Sequence, residues 1–304
     1  MRLRNSRRGR GCLVRRRWVY SPLDARRPHC AALVALTIVS TPANAQSTTD
    51  STTTVAPAGD APLPYWAHGL TRPFIAGQVL AGLGIGRLSL KAGYGKPHFM
   101  WGGLEGNGSL TPYYTNLQGG LHISAFIADL YISYRRTYSL IHGILPNARS
   151  VSEDDLNASS KNKVQYNALD AEMRGFIPYG QLLLAWDFAC VRPLNQPSKT
   201  LLFEELQSVV VAPPGVFSIK ATPMVKPSRS LNLYVGVLIE QLALLGRGVA
   251  WVWRLGPSCF VTLSDHWNAG GFLSRPVQSP DRLGFWNSMY GTAALQYSFA
   301  TGDN

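Results

Sequence analysis

The sequence predicts an all-β chain: a transmembrane antiparallel β-barrel of about twelve strands, in a range of about ten to fourteen, preceded by a signal peptide and a disordered linker. Three observations predict it. Many segments set one large apolar face against one small or polar face with a period of two residues, which is how side chains alternate along a strand. Charged residues make up only 15% of the chain, below the roughly 25% usual in soluble domains. No window beyond the leader supplies the roughly 18 uninterrupted apolar residues that a membrane helix requires, and the nearest candidate, Leu231 to Gly246, carries Glu240.

The leader comes first, residues 1–45. The 304-residue chain has a formal charge of +12, which by itself suggests a nucleic-acid or anionic-lipid partner. Met1 to Ala45 holds ten Arg against the single acid Asp24, so +9 of that charge sits there, and the remaining 19 basic and 16 acidic residues leave +3. The excess therefore belongs to a leader, and no nucleic-acid partner is expected. Its layout is that of a secretory signal: an Arg-rich opening, the apolar run Ala31 to Val39, Pro42, then Ala43-Asn44-Ala45 with cleavage expected after Ala45. Cys12 and Cys30 leave with it, and Cys190 and Cys259 allow one disulfide but provide no metal-ligand spacing. No cofactor or metal is expected.

Residues 46–64 (QSTTDSTTTVAPAGDAPLP) are rich in Ser, Thr and Pro and cannot bury enough surface to fold alone, so they read as a flexible linker. Residues 65–304 form one barrel domain. In Arg87 to Tyr94, Leu88, Leu90, Ala92 and Tyr94 oppose Arg87, Ser89, Lys91 and Gly93. In Leu182 to Arg192, Leu182, Leu184, Trp186 and Phe188 oppose Leu183, Ala185, Asp187 and Ala189. Val249, Trp251, Trp253 and Leu255 oppose Ala250, Val252 and Arg254, and Leu295, Tyr297 and Phe299 oppose Ala294, Gln296 and Ser298. A soluble sandwich would put the apolar face inward; few charges, aromatics on the apolar faces and a secretory leader favour the inverted arrangement, with lipid on the apolar side.

Connections follow. Asn147 to Lys163, with Glu153-Asp154-Asp155, reads as a long polar loop. Arg192 to Lys199, Ala212 to Gly215, Pro223 to Ser230 and Pro276 to Arg282 read as Pro-marked turns, and Gly256-Pro257 as a tight one. Leu117 to Gly143 reads as two strands turning near Ala128-Asp129. Leu121, Ile123, Ala125 and Ile127 face outward on the first, and Leu130, Ile132, Tyr134 and Tyr138 on the second. His122, Ser124, Ser133, Arg135 and Thr137 face inward, and Arg136 marks the approach to the headgroups. The glycine-rich runs 82–86, 102–103 and 106–108 lack the Lys-Ser/Thr of a phosphate loop and read as turns and strand bends.

The Ala43-Asn44-Ala45 leader, the aromatic-rich alternating segments and the final strand Thr292 to Phe299 (TAALQYSF) resemble those of a Gram-negative outer-membrane β-barrel protein. The resemblance spans Trp66 to Phe299 and is one of class. It implies an outer-membrane location, outer-membrane lipids as surroundings, and recognition by the barrel assembly machinery through Thr292 to Phe299. In that class an aromatic residue usually closes the chain, whereas here residues 300–304 (ATGDN) follow Phe299.

Two readings of the interior follow. His122 and Ser124 share a strand face, so the imidazole could serve as general base to the hydroxyl; the pair resembles that of outer-membrane lipid hydrolases, though those have Asn after the Ser and this chain has Ala125. Asp170, Glu172 and Asp187 are available to orient the His. Ser264 and His266 repeat the spacing in reverse, which makes the spacing cheap. The alternative is a lumen lined by Arg87, Lys91, Arg135, Asp170, Glu172, Arg174, Asp187, Glu240 and Arg254, whose mixed charges either pair and plug the barrel or set a mild anion preference in a wet pore. The expected function is a non-enzymatic passive pore or structural barrel. A lipid acyl hydrolase using His122 and Ser124 is the runner-up, and a soluble secreted β-barrel that binds a small apolar ligand is third.

Overall fold

The computed structural model describes residues 65–160, 163–197, 199–228, 232–248 and 250–302. The expected signal peptide and linker lie outside the described residues. After a short 3-10 turn at Tyr65–His68 come β1 (Arg72–Gly82), β2 (Ile85–Lys96), β3 (Met100–Leu110), β4 (Tyr114–Ser124) and β5 (Ala128–Pro146). Helix α1 (Glu153–Ser159) precedes β6 (Lys163–Tyr179), β7 (Leu182–Pro193), β8 (Thr200–Glu204) and β9 (Val209–Val211). The chain continues through β10 (Val216–Val225), β11 (Leu233–Leu244), β12 (Ala250–Thr262), β13 (Trp267–Gln278), α2 (Gly284–Ser288) and β14 (Tyr290–Ala300).

Twelve of these strands, β1–β7 and β10–β14, form a ring in which each is antiparallel to its neighbours. β14 pairs with β1 from Ala76↔Ala300 to Gly82↔Ala294, and β4 pairs with β5, so the ring has no open edge. Closure is what permits the inverted polarity: a ring leaves no strand edge whose backbone groups would face lipid unpaired. The exterior carries Leu88, Leu90, Tyr94, Leu104, Leu121, Ile132, Leu184 and Leu255, all exposed, while alternate positions such as Ser89, Asn107, Asn116, Ser133 and Ser218 are buried inside. All six carboxylates of the barrel strands, Glu105, Asp129, Asp170, Glu172, Asp187 and Glu240, fall on inward positions of this alternation. Outward Cys190 on β7 and Cys259 on β12 are not joined, because β10 and β11 stand between them.

The chain alternates between two barrel ends. One, the terminal end, holds Tyr65, Gly302 and the connections 97–99, 125–127, 180–181, 226–228 and 263–266; the other, the loop end, holds 83–84, 111–113, 147–160, 194–197, 199–215, 245–248 and 279–289. Gly84, at φ 72°, makes the tight β1–β2 turn in a conformation that a β-carbon disfavours. The feature that departs most from a plain barrel is β8–β9, which does not join the ring. β8 pairs with the end of β5 at Ile144↔Leu202, and β9 pairs with β8. This hairpin folds into the lumen at the loop end. Its Leu202, Val209 and Val211 pack against inward Tyr166, Val191, Val216, Leu242, Leu244 and Val252. Its Leu201, Phe203 and Val210 pack against Leu145, Val151, Leu156 and Leu283. The apolar core of the molecule is therefore a hairpin layered between barrel wall and loops.

Several connections differ from the sequence reading. Gly256-Pro257 is no turn but lies inside β12: a β-carbon at Gly256 would collide with the Leu273 carbonyl of β13, and registered pairing with β13 is interrupted at these two residues, where a missing N–H breaks no bond. Pro223 likewise lies in β10 at a break in the pairing with β11, and Pro276 lies in β13 beside a bulge opposite Trp253/Arg254. The hairpin turn expected near Ala128-Asp129 is at 125–127, closed by Ala125 N–H donating to the Ala128 carbonyl, so Ala125 and Ile127 are turn rather than strand residues. The loop from Asn147 contains α1, started by a reciprocal Ser152–Asp155 capping box. The Ser152 backbone N–H holds the exposed Asp155 carboxyl below its usual range. This loop is not simply solvated, since Val151 and Leu156 are core residues.

Candidate functional site

The period-two alternation aims the inward side chains at one another, and strand register decides which meet. At directly opposed positions, Asp129 on β5 faces Arg174 on β6, Arg174 faces Asp187 on β7, Asp187 faces Lys220 on β10, Lys220 faces Glu240 on β11, and Glu240 faces Arg254 on β12. This is a ladder of strictly alternating sign across six adjacent strands. Its contacts include Arg174 Nε–Asp129 Oδ2 at 3.5 Å, Lys220 Nζ–Glu240 Oε1 at 3.7 Å and Arg254 Nη1–Glu240 Oε2 at 3.1 Å. Glu172 joins from β6, 3.5 Å from Arg174. Each opposite-charge cross-strand pair contributes about 0.2–1 kcal/mol, so the ladder fixes register as much as it adds stability.

Above the ladder the hairpin is anchored by ions. Arg135, fully buried, donates from Nε to Asp170 Oδ2 at 2.6 Å, from Nη1 to Thr137 at 2.8 Å and from Nη2 to Glu204 Oε1 at 2.8 Å. Tyr166 donates to the same Glu204 oxygen at 3.0 Å, and the Gln207 backbone N–H to the other at 2.7 Å. Glu205, next along the hairpin, receives Ser139 and lies 2.9 Å from His142 Nδ1. Arg254 donates to the Ser208 carbonyl at 2.7 Å. Glu204 thus lies fully buried with its charge matched.

On the opposite wall lies a polar cavity of about 330 Å³ lined by Gln78, Arg87, Ser89, Lys91, Glu105, Asp129 and Arg174 among others. Lys91 donates to Gln78 at 3.2 Å and lies 5.6 Å from the centre of the Trp101 ring. Neither Arg87 nor Lys91 has a carboxylate within 4.0 Å among the described residues. Ser89 lines this cavity, while Asn107, Asn116, Gln118 and Ser133, also inward on β3–β5, are hydrogen-bonded within the wall beyond it.

His122 and Ser124 lie on one inward face and both line this cavity, but among the described residues no hydrogen bond joins them. His122 Nδ1 is 2.5 Å from Glu105 Oε2, and its Nε2 is 3.6 Å from Asp129 Oδ1. Ser124 Oγ instead donates to the Phe99 carbonyl at 3.1 Å. Both side chains are buried in the lumen wall, away from the lipid face. His266 contacts the Ser298 carbonyl at 2.9 Å, while Ser264 Oγ accepts from the Trp267 N–H, so that pair does not meet either. The nine expected lumen residues all point inward, but they divide: Arg135, Asp170, Glu240 and Arg254 belong to the hairpin anchor or adjoin it, while Arg87, Lys91, Glu172, Arg174 and Asp187 line the wider interior. The sequence reading missed Glu105, Asp129, Lys220 and Glu204. Lys220 was detectable from its alternation with Phe217 and Ile219. Glu204 was signalled by its flanks: Leu201-Leu202-Phe203 and Val209-Val210-Val211 are apolar on both faces, the pattern of a strand that borders neither lipid nor lumen water.

No family model and no curated protein matches the chain. Among solved structures, the KdgM porin in complex with disordered oligogalacturonate is similar over 74% of this chain and 99% of that one, at TM-score 0.38 and 9% identity. The NanC porin is similar over 75% and 98%, at 0.34 and 7%. The translocator domain of the autotransporter NalP from Neisseria meningitidis is similar over 77% and 90%, at 0.34 and 11%.

Proposed function

We propose that the chain is a non-enzymatic outer-membrane barrel whose lumen is a passive channel, narrowed at the loop end by the β8–β9 hairpin and left passable along β1–β4. The observation that carries this reading is the inversion of polarity along the strands: all six of their carboxylates face inward, Glu105 and Asp129 onto a polar cavity, and the outward positions are chiefly apolar between aromatics at both ends. Tyr94, Tyr179 and Trp267 mark the terminal end and Trp251 and Trp253 the loop end. On this reading the terminal end faces the periplasm, and β14, which closes the ring on β1, is the strand presented to the assembly machinery. Pairing within the ladder offsets the charge of Asp129 and Arg174 where they line the cavity, so Arg87 and Lys91, with no carboxylate within 4.0 Å among the described residues, act most on a passing ion.

The test is planar-bilayer recording of the mature chain refolded from detergent, after heat-modifiable gel migration has established that the barrel is formed. Discrete current steps are expected. Their absence from a folded barrel would leave a structural role, and release of fatty acid from phospholipid that is lost in Ser124→Ala would favour the hydrolase.

A further inference from the structure

The barrel's outer surface carries charge of one sign at the loop end. Outward positions on the twelve strands contain no carboxylate, yet three arginines occupy them there: Arg136 on β5, Arg192 on β7 and Arg275 on β13, all exposed. Arg136 follows the outward apolar residues Leu130, Ile132 and Tyr134, and Arg192 follows Trp186, Phe188 and Cys190, so both stand where the apolar surface stops. Between them on β6, Arg136 is registered with Asn167 and Arg192 with Leu169, and Gln165 reaches Arg136 through its amide oxygen. The Arg136 guanidinium lies 5.3 Å from the Tyr138 ring centre, and that of Arg275 lies 5.5 Å from Phe285, beside the exposed Trp286. None of the three has a carboxylate within 4.0 Å among the described residues.

The terminal end differs. Among the described residues there, Arg72 donates to the Thr301 carbonyl at 2.7 Å, Lys96 to the Ala67 carbonyl at 2.7 Å and Lys226 to the Asn232 side chain at 3.0 Å. The three cations named above are Arg, whose planar fork matches phosphate oxygens two at a time; Arg136 and Arg275 lie by aromatic rings and Arg192 beside Leu169, while Lys163 at the start of β6 adds an exposed cation without that fork.

We propose that Arg136, Arg192 and Arg275 form a ring of sites for anionic phosphate headgroups in the leaflet around the loop end, with the Arg136–Asn167–Arg192 patch on β5–β7 as its strongest part. The proposal rests on the membrane-embedded reading of the barrel and not on conduction. A phosphate monoester fits because it offers several oxygens to two guanidinium groups and the intervening amides, without the choline that neutralises a zwitterionic lipid.

The experiment uses the refolded barrel in nanodiscs of phosphatidylcholine doped with phosphatidic acid, with lipid retention read by native mass spectrometry. Wild type is expected to retain phosphatidic acid preferentially, and Arg136→Gln/Arg192→Gln to lose about fivefold per arginine in that preference. Arg136→Lys/Arg192→Lys, which keeps charge and removes the fork, is expected to fall between them, and Lys226→Gln at the terminal end to match wild type. Heat-modifiable migration of every variant separates failure to form a membrane barrel from failure of the site. Equal preference in wild type and the double glutamine variant, both folded, overturns the proposal. So does an equal loss in Lys226→Gln.

Discussion

The two halves of the barrel wall are built from the same alternating strands and differ in what they enclose. Strands β6, β7 and β10–β12 face a hairpin: their inward positions near the loop end are Tyr166, Val191, Val216, Leu242, Leu244 and Val252, and β8–β9 fills the space they bound. Strands β3 and β4 instead present Asn107, Asn116 and Gln118, which are hydrogen-bonded to neighbouring wall residues and belong to no apolar core. The difference teaches that lumen polarity is set by the occupant. Where protein fills the interior, the inward face becomes a core with native packing; where water fills it, the face stays small and polar.

Removing the occupant should break the comparison most severely. Replacing Thr200–Val211 by a short Gly-Ser linker strips the apolar wall of its partner and deletes Glu204, the carboxylate bound by Arg135 and Tyr166. Barrels that still fold are expected to show a large rise in unit conductance with greater noise. Unchanged conductance would mean that the hairpin does not narrow the path. Arg135→Met is next. It leaves Asp170 and Glu204 without their shared cation, and removing one partner of a buried pair costs about 3–5 kcal/mol. A shift in the denaturant midpoint for unfolding from lipid checks it, and a neutral result would indicate that water reaches the anchor.

Much of this contrast was legible beforehand, but unevenly. Alternation placed Leu88, Leu90 and Tyr94 outward and Ser89 and Lys91 inward, because the period of a strand is a property of single residues. It also gave a range of ten to fourteen strands around the twelve of the ring. What alternation cannot supply is register, which depends on the lengths of turns between strands; hence the ladder from Asp129 to Arg254 emerges only when six strands are aligned. Prolines misled for a related reason. Pro223, Pro257 and Pro276 read as turn residues, yet each stands where a ladder is interrupted or bulged, so its missing donor costs nothing. The His122–Ser124 spacing told of a shared face but not of Glu105, which takes the imidazole from the neighbouring strand β3.

Smaller effects sharpen the comparison. Leu242→Ala opens a void in the filled half, where Leu242 is fully buried against the hairpin, and is expected to cost about 2–5 kcal/mol. Leu90→Ala, on the outward face of β2 with half its surface exposed, should cost distinctly less. Parallel unfolding curves of the two variants check the order, and equal losses would mean that the hairpin is loosely packed.

The smallest effect belongs to the open half. Of the cations lining the polar cavity, Arg87 and Lys91 have no carboxylate within 4.0 Å among the described residues. A charge beside water interacts with a passing ion at about 1 kcal/mol or less at 4 Å, because the solvent dielectric screens it. Arg87→Gln/Lys91→Gln is therefore expected to leave folding intact and to move the reversal potential in a salt gradient modestly toward cation preference, more so at low ionic strength, where screening is weaker. The matched substitution in the filled half, Lys220→Gln, removes a cation already spoken for by Asp187 and Glu240 on its neighbouring strands. It should disturb register and stability before selectivity. If Lys220→Gln shifts the reversal potential as far as the Arg87/Lys91 pair does, the ladder is part of the conducting path and the barrel has no closed side.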